Sequence, residues 1–175
     1  MGTTYELIKG ETLTSSAASY TFTAIPSTWT DLVLRWSARD TSNTGNYFSN
    51  ARMQINSITT NYSETYLQGT STTATTSALT STNYWWLYNS YPSSLSTSNT
   101  FSNNETYLPS YAGAANKVGS HSAVQENNLA TFESANILVF ATLLSNTAAI
   151  SSVAILAATS FAAGSSFYLY GIKNS

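Results

Sequence analysis

The sequence predicts an all-β domain, a sandwich, barrel or jelly roll of about ten short strands. Three observations predict it. Of the 175 residues, 29 are Ser and 27 are Thr; the branched Cβ of Thr suits the pleat, and Ser favours the turns between strands. Apolar residues recur with period two rather than the helical 3.6. Polar clusters separate the apolar runs at a spacing of roughly ten residues. Hydrophobic residues make up 42% and aromatics 13% of the chain, against 8% charged. That is enough apolar material for a core, and it excludes the disorder that a Ser/Thr-rich chain could otherwise adopt.

The elements follow in order. Tyr5–Lys9 opens the chain as a strand, and Tyr20 and Phe22 alternate with Thr21 and Thr23 in the next. Pro26-Ser27-Thr28 then breaks pairing and turns the chain. In the run after it, Leu32, Leu34, Trp36 and Ala38 share one face, while Arg35, Ser37 and Arg39 share the other. That is a half-buried strand. Further strands are expected at Arg52–Ser57, Glu64–Leu67, Tyr84–Tyr88, Ser102–Tyr107, Val118–Gln125, Ile137–Leu144, Ser152–Leu156 and Phe167–Ile172. Turns are expected at Asp40–Asn46, Gly69–Ser77, Ser93–Asn99, Glu126–Asn128 and Ser160–Ser166. Thr70–Ser81 is almost wholly Thr, Ser and Ala, which suits a long exposed loop or an edge segment with little to bury.

Charge and composition narrow the function. Net charge is −2 and the six Lys/Arg residues are scattered, so there is no basic patch of the kind that binds nucleic acid. No apolar run is long enough to span a membrane as a helix, and the N-terminus lacks the pattern of a signal peptide. Without Cys there is no disulfide, thiolate or Cys-based metal site, and no cofactor is implied. His121 is the sole imidazole, in Gly119-Ser120-His121-Ser122, with no Gly-x-Ser-x-Gly motif near it. It reads as a partly exposed strand position rather than a catalytic base. Eight carboxylates are few for an acid pair across a cleft. Asp40, Asn43 and Asn46 carry oxygen ligands of the type calcium takes, although an ordinary Asx-rich turn explains them as well. The reading is that the chain is not an enzyme.

The strongest local signal is Asn83-Tyr84-Trp85-Trp86-Leu87-Tyr88-Asn89-Ser90-Tyr91-Pro92. Tyr84, Trp86 and Tyr88 share one face, and Trp85 and Leu87 share the other. A strand apolar on both faces has something covering both. One side is expected to meet the core. The other is expected to meet a neighbouring subunit or, because Tyr and Trp stack on sugar rings, a glycan. Tyr84, Trp85, Trp86, Tyr88 and Tyr91 are therefore the candidate interface or ligand-facing residues.

Several stretches taken in order carry a resemblance. They are Tyr5-Glu6-Leu7-Ile8; the corner from Phe22 through Ile25-Pro26-Ser27-Thr28-Trp29-Thr30-Asp31-Leu32; Glu105-Thr106-Tyr107-Leu108-Pro109-Ser110-Tyr111; Leu144-Ser145-Asn146-Thr147; and the closing Phe167-Tyr168-Leu169-Tyr170-Gly171-Ile172-Lys173. Over nearly its whole length the chain resembles small virion proteins and fibre-tip domains of tailed bacteriophages. Trp29 stands where many of those proteins have Tyr, which should keep an aromatic anchor at the corner. The resemblance implies one antiparallel sandwich of jelly-roll type over residues 1–175, assembled as a homotrimer. It also implies a structural role in the virion. Because Tyr5 begins the domain at once, a tail-fibre shaft has no room. The expectation is a decoration (cement) protein, made in the host cytoplasm, that binds the major capsid protein on the capsid exterior and stabilises the head. The alternative is a tail-fibre or head-fibre tip that binds host glycans. The family has no established catalytic residues, so none are transferred.

Overall fold

A computed structural model describes residues 4–42, 45–70, 73–127 and 135–173. Twelve strands form among them: β1 (Tyr5–Thr12), β2 (Ala17–Phe22), β3 (Asp31–Ser37), β4 (Phe48–Ile55), β5 (Tyr62–Thr70), β6 (Thr73–Thr82), β7 (Trp85–Pro92), β8 (Asn103–Leu108), β9 (Lys117–Glu126), β10 (Ala135–Leu144), β11 (Val153–Phe161) and β12 (Ser166–Ile172). All pairings are antiparallel. An eight-stranded sheet runs β1-β12-β3-β8-β9-β10-β5-β6, and a four-stranded sheet runs β2-β11-β4-β7. The protein is an antiparallel β-sandwich. Among the described residues no helix is long and apolar enough to cross a membrane.

The core lies between the sheets. Leu32, Leu34, Trp36 and Ala38 point into it, at 2% exposure or less, as their parity required. They meet Phe161 and Phe167, whose rings lie 5.1 Å apart, and Met53, Ile55 and Trp85 from the small sheet. Arg39 does not stay on a solvent face. Its guanidinium donates to the carbonyls of Ser94, Ser96, Thr97 and Thr100, so it braces the loop that follows β7. Asp40 is buried as well: Oδ1 accepts the Ser42 amide at 3.0 Å, and Oδ2 accepts the Tyr91 hydroxyl at 3.3 Å. The Asp40–Asn46 segment thus begins as an Asx turn whose carboxylate accepts from protein donors. Asn43 lies outside the described residues.

Three sequence expectations change. Among the described residues there are twelve strands instead of about ten, and within the turn expected at Gly69–Ser77 residues 69–70 end β5 and residues 73–77 begin β6. The strand β6 is the outer edge of the large sheet, and only Leu79 and Thr82 in it are more than exposed surface. Thr favours the extended backbone strongly enough to pair there without a core to fill. The turn expected at Ser160–Ser166 is shorter, since β11 runs through Phe161 and β12 begins at Ser166. Residue 128 of the Glu126–Asn128 turn lies outside the described residues.

The motifs behind the resemblance meet in space. Trp29 packs flat against the backbone of Gly171, where a Cβ would come within 2.2 Å of the indole. Lys173 lies over the same ring at 5.9 Å. The Tyr111 hydroxyl donates to the Pro26 carbonyl and accepts the Trp29 amide. The Pro26 corner is therefore pinned both by Tyr111, which follows β8, and by the strand that closes the chain.

Candidate functional site

The strand β7 is an edge strand of the small sheet, and it divides the aromatic signal in two. Trp85 is fully buried; its indole N–H donates to the Leu143 carbonyl at 3.0 Å, and its ring meets Tyr62 edge-on at 5.7 Å. Tyr91 is fully buried too. Its hydroxyl accepts the Ala158 amide at 2.8 Å and donates to Asp40, and burial pushes its pKa up. Neither residue can face a ligand or a subunit. Both belong to the core, a correction to the sequence-based set.

Tyr84, Trp86 and Tyr88 lie on the face away from Trp85 and Leu87, half-buried, and Tyr88 packs against the buried cluster of Ala123, Leu138 and Phe140. Tyr84 and Trp86 meet edge-to-face at 5.0 Å, and Trp86 and Tyr88 stack at 5.5 Å. Arg52, paired with Trp86 across β4 and β7, places its guanidinium 5.4 Å from the Tyr84 ring and 5.9 Å from the Trp86 ring. One of its nitrogens donates to the Ala157 carbonyl at 2.6 Å, which fixes the side chain across three strands. Tyr88 also meets Tyr66 of β5 at 5.3 Å, so the row turns the corner between the two sheets.

Around that corner lies a cleft of about 290 Å³ lined by Asn46, Tyr47, Phe48, Gln68, Thr70, Thr73, Thr75 and Asn89. Its walls are amides, hydroxyls and two rings. Asn89 sits at a break in the β4–β7 register with φ 46°. Its amide donates to Asn50 Oδ1, and its carbonyl accepts from Gln125 and Asn136. The cleft therefore has a braced floor. Aromatic faces beside convergent amides and hydroxyls are what a saccharide requires of a binding site.

A second surface was missed from sequence. Among the described residues, seven of the eight exposed large apolar side chains lie on the outer face of the large sheet: Tyr5, Leu7, Leu67, Val118, Val124, Ile137 and Val139. Val139 stands opposite Leu67, and Ile137 opposite Val124. The signal was present in β10, where Ile137, Val139 and Ala141 form one apolar face and Leu138, Phe140 and Leu144 form the other. The same both-faces argument that singled out β7 applies there. The single ion pair among the described residues, Arg35–Glu105 at 2.7 Å, lies on this outer face.

His121 is buried at 2% exposure, not partly exposed as expected. Its inward side of β9 carries Lys117, Ala123 and Gln125, while Val118 and Val124 face out. The ring stacks on Trp36 at 6.1 Å and shares a hydrogen bond with Thr106 at 2.8 Å. Burial pushes its pKa down to about 3. A neutral imidazole walled in by Trp36 and Phe140 has no access to a surface substrate. No group of three or more His, Asp or Glu residues converges on a metal position among the described residues.

No protein-family model matches the chain, and no curated protein matches it.

Proposed function

We propose that this protein is a structural module which assembles with copies of itself through the outer face of the large sheet. We further propose that it serves as a trimeric decoration protein on the exterior of a phage capsid. One observation carries the self-assembly: the exposed aliphatic and aromatic side chains gather on that face instead of scattering. Isolated apolar residues on a surface are ordinary, but a cluster such as Leu67 and Val139 beside Ile137 and Val124, on three adjacent strands, marks an interaction site. Eight strands at about 4.8 Å spacing and about 20 Å length present on the order of 800 Å², the area each partner contributes to a stable interface. The occupant is a second copy. A net charge of only −2 opposes such association weakly.

The stoichiometry and the capsid come from the resemblance described above. We read the fold in the same light. The strands β1, β2, β3, β4, β7, β8, β11 and β12 form the four-strand orders β1-β12-β3-β8 and β2-β11-β4-β7. We read these orders as those of a jelly roll, with β5–β6 and β9–β10 inserted as a wing on one sheet. Sedimentation equilibrium at micromolar concentration tests the assembly, and a monomer would end it. Deleting the protein from the particle and heating both forms tests the cementing role; unchanged heat stability would remove it.

A second reading has its own observation. The row Tyr84–Trp86–Tyr88, leading into the amide-lined cleft, favours a saccharide-binding tip. The two surfaces are on different faces of the sandwich, so one chain can carry both.

A further inference from the structure

We infer that the saccharide accepted by the Tyr84–Trp86–Tyr88 row is an acidic one, a sugar bearing a carboxylate, with Arg52 as the residue that selects it. This rests on the second reading above and adds the ligand's charge to it.

The position of Arg52 carries the inference. Its guanidinium lies over Tyr84 and Trp86 and is held by the Ala157 carbonyl. Among the described residues no carboxylate pairs with it, the ion pair there being Arg35–Glu105 on the opposite face. A planar cation fixed at the rim of an aromatic row presents parallel donors, the geometry that recognises a carboxylate in a two-pronged fashion. The rings hold the guanidinium by cation–π attraction without neutralising it. An apolar partner would leave that charge desolvated and unpaired, which is costly. A neutral sugar could stack on Trp86 and Tyr88 but would gain nothing from Arg52. An acidic sugar stacks and also pairs with the cation. Further units of an oligosaccharide, running along the row past Tyr88, would meet Asn46, Gln68, Asn89 and the three Thr hydroxyls of the cleft, which offer both donors and acceptors.

Glu64 accepts the Trp86 amide. Its carboxyl is buried at 3% exposure and turned to the Trp86 amide rather than to Arg52. It does not occupy the position proposed for the ligand.

The test is calorimetric titration of the full chain with three probes: oligogalacturonate, a short sialic acid oligomer, and a neutral cello-oligosaccharide. At least one acidic probe should bind, with an affinity roughly tenfold above the neutral one, as a single charge-assisted contact supplies. Arg52→Gln should remove that preference, Arg52→Lys should restore part of it, and Trp86→Ala should abolish binding of every probe. Equal affinity for acidic and neutral probes, untouched by Arg52→Gln, would overturn the acidic preference while leaving the saccharide reading in place. No binding of any probe would overturn both. Salt provides a check that needs no variant. The wild-type affinity for the acidic probe must fall as salt is raised, and a salt-independent affinity would equally refute the role of Arg52.

Discussion

The backbone amide of Trp86 donates to the Glu64 carboxyl at 3.2 Å, from the edge strand of one sheet to the inner face of the other. An edge strand presents unpaired backbone groups that invite further pairing. Here side chains of the large sheet take up those groups: Glu64 takes the Trp86 N–H, while Gln125 and Asn136 donate to the Asn89 carbonyl. The edge of the small sheet is closed by side chains of the wing, and the same contacts hold the aromatic row in place.

This closure makes stability depend on pH. Burial pushes the pKa of Glu64 from 4.5 up to about 7, with the Trp86 amide opposing the shift, and Glu64 Oε2 has no hydrogen-bond partner. The folded state thus keeps a proton that the unfolded state has already lost. Stability contributed by the neutral acid is complete below pH 4.5 and disappears as pH rises to 7. By linkage the loss is on the order of 3 kcal/mol. Glu64→Gln keeps an acceptor oxygen and removes the charge. Urea unfolding at pH 8 should show the variant to be more stable by about 2–3 kcal/mol, with the difference gone at pH 4. Parallel pH profiles would contradict the assignment.

His121 works in the opposite sense. Its folded pKa is pushed down from 6.5 to about 3 by burial, so the unfolded chain binds the extra proton. The stability of the neutral ring is complete above pH 6.5 and is lost as pH falls towards 3. His121→Phe preserves stacking on Trp36 and Phe140 and cannot protonate. It should flatten the acid limb of the stability profile, at a cost of about 1 kcal/mol at pH 8 for the lost Thr106 bond. A variant that unfolds in acid as readily as the wild type would count against a neutral buried ring.

Gly171 and Trp29 form a tight contact between the corner and the last strand. Gly171→Ala places a methyl group about 2.2 Å from the indole, so the ring must move. The cost should be about 1–3 kcal/mol, as for other overpacked sites. In a Trp29→Ala background the same substitution should cost little. A thermal-melt double-mutant cycle measures the coupling, and additive effects would show that the two residues do not constrain each other.

Much of this arrangement was legible in the sequence. Alternation in Leu32–Ala38 gave the inward set correctly, and Tyr84, Trp86 and Tyr88 were assigned to one face. Period two states which residues share a face, but not which face is covered. In β9 the buried set is Lys117, His121, Ala123 and Gln125, because the Gly113 and Ala115 carbonyls, Thr106 and the Asn89 carbonyl satisfy its polar members from distant segments. Such partners leave no local mark. Trp85 is buried by its place in β7, facing Tyr62 and the Leu143 carbonyl, and Tyr91 is buried through a pairing with Asp40 some fifty residues away. Arg52 escaped notice because its significance depends on what lies across the strand.

The self-assembly surface yields the last prediction. Val139 and Leu67 are cross-strand neighbours at the middle of the wing, exposed by 50% and 47%. Neither side chain helps to hold the sandwich together, since both point away from the core. Val139→Lys should therefore leave the monomer's melting temperature nearly unchanged, because a surface substitution in a strand costs within about 0.5 kcal/mol. In an assembled interface the same lysine would be buried without a partner, which costs several kcal/mol for each copy. The variant should sediment as a folded monomer where the wild type is oligomeric. Trp86→Ala, on the other face, should leave the oligomer intact. If Val139→Lys left the sedimentation unchanged while Trp86→Ala dissociated the assembly, the interface would belong to the aromatic row, as the sequence first suggested, and the outer face of the large sheet would need another occupant.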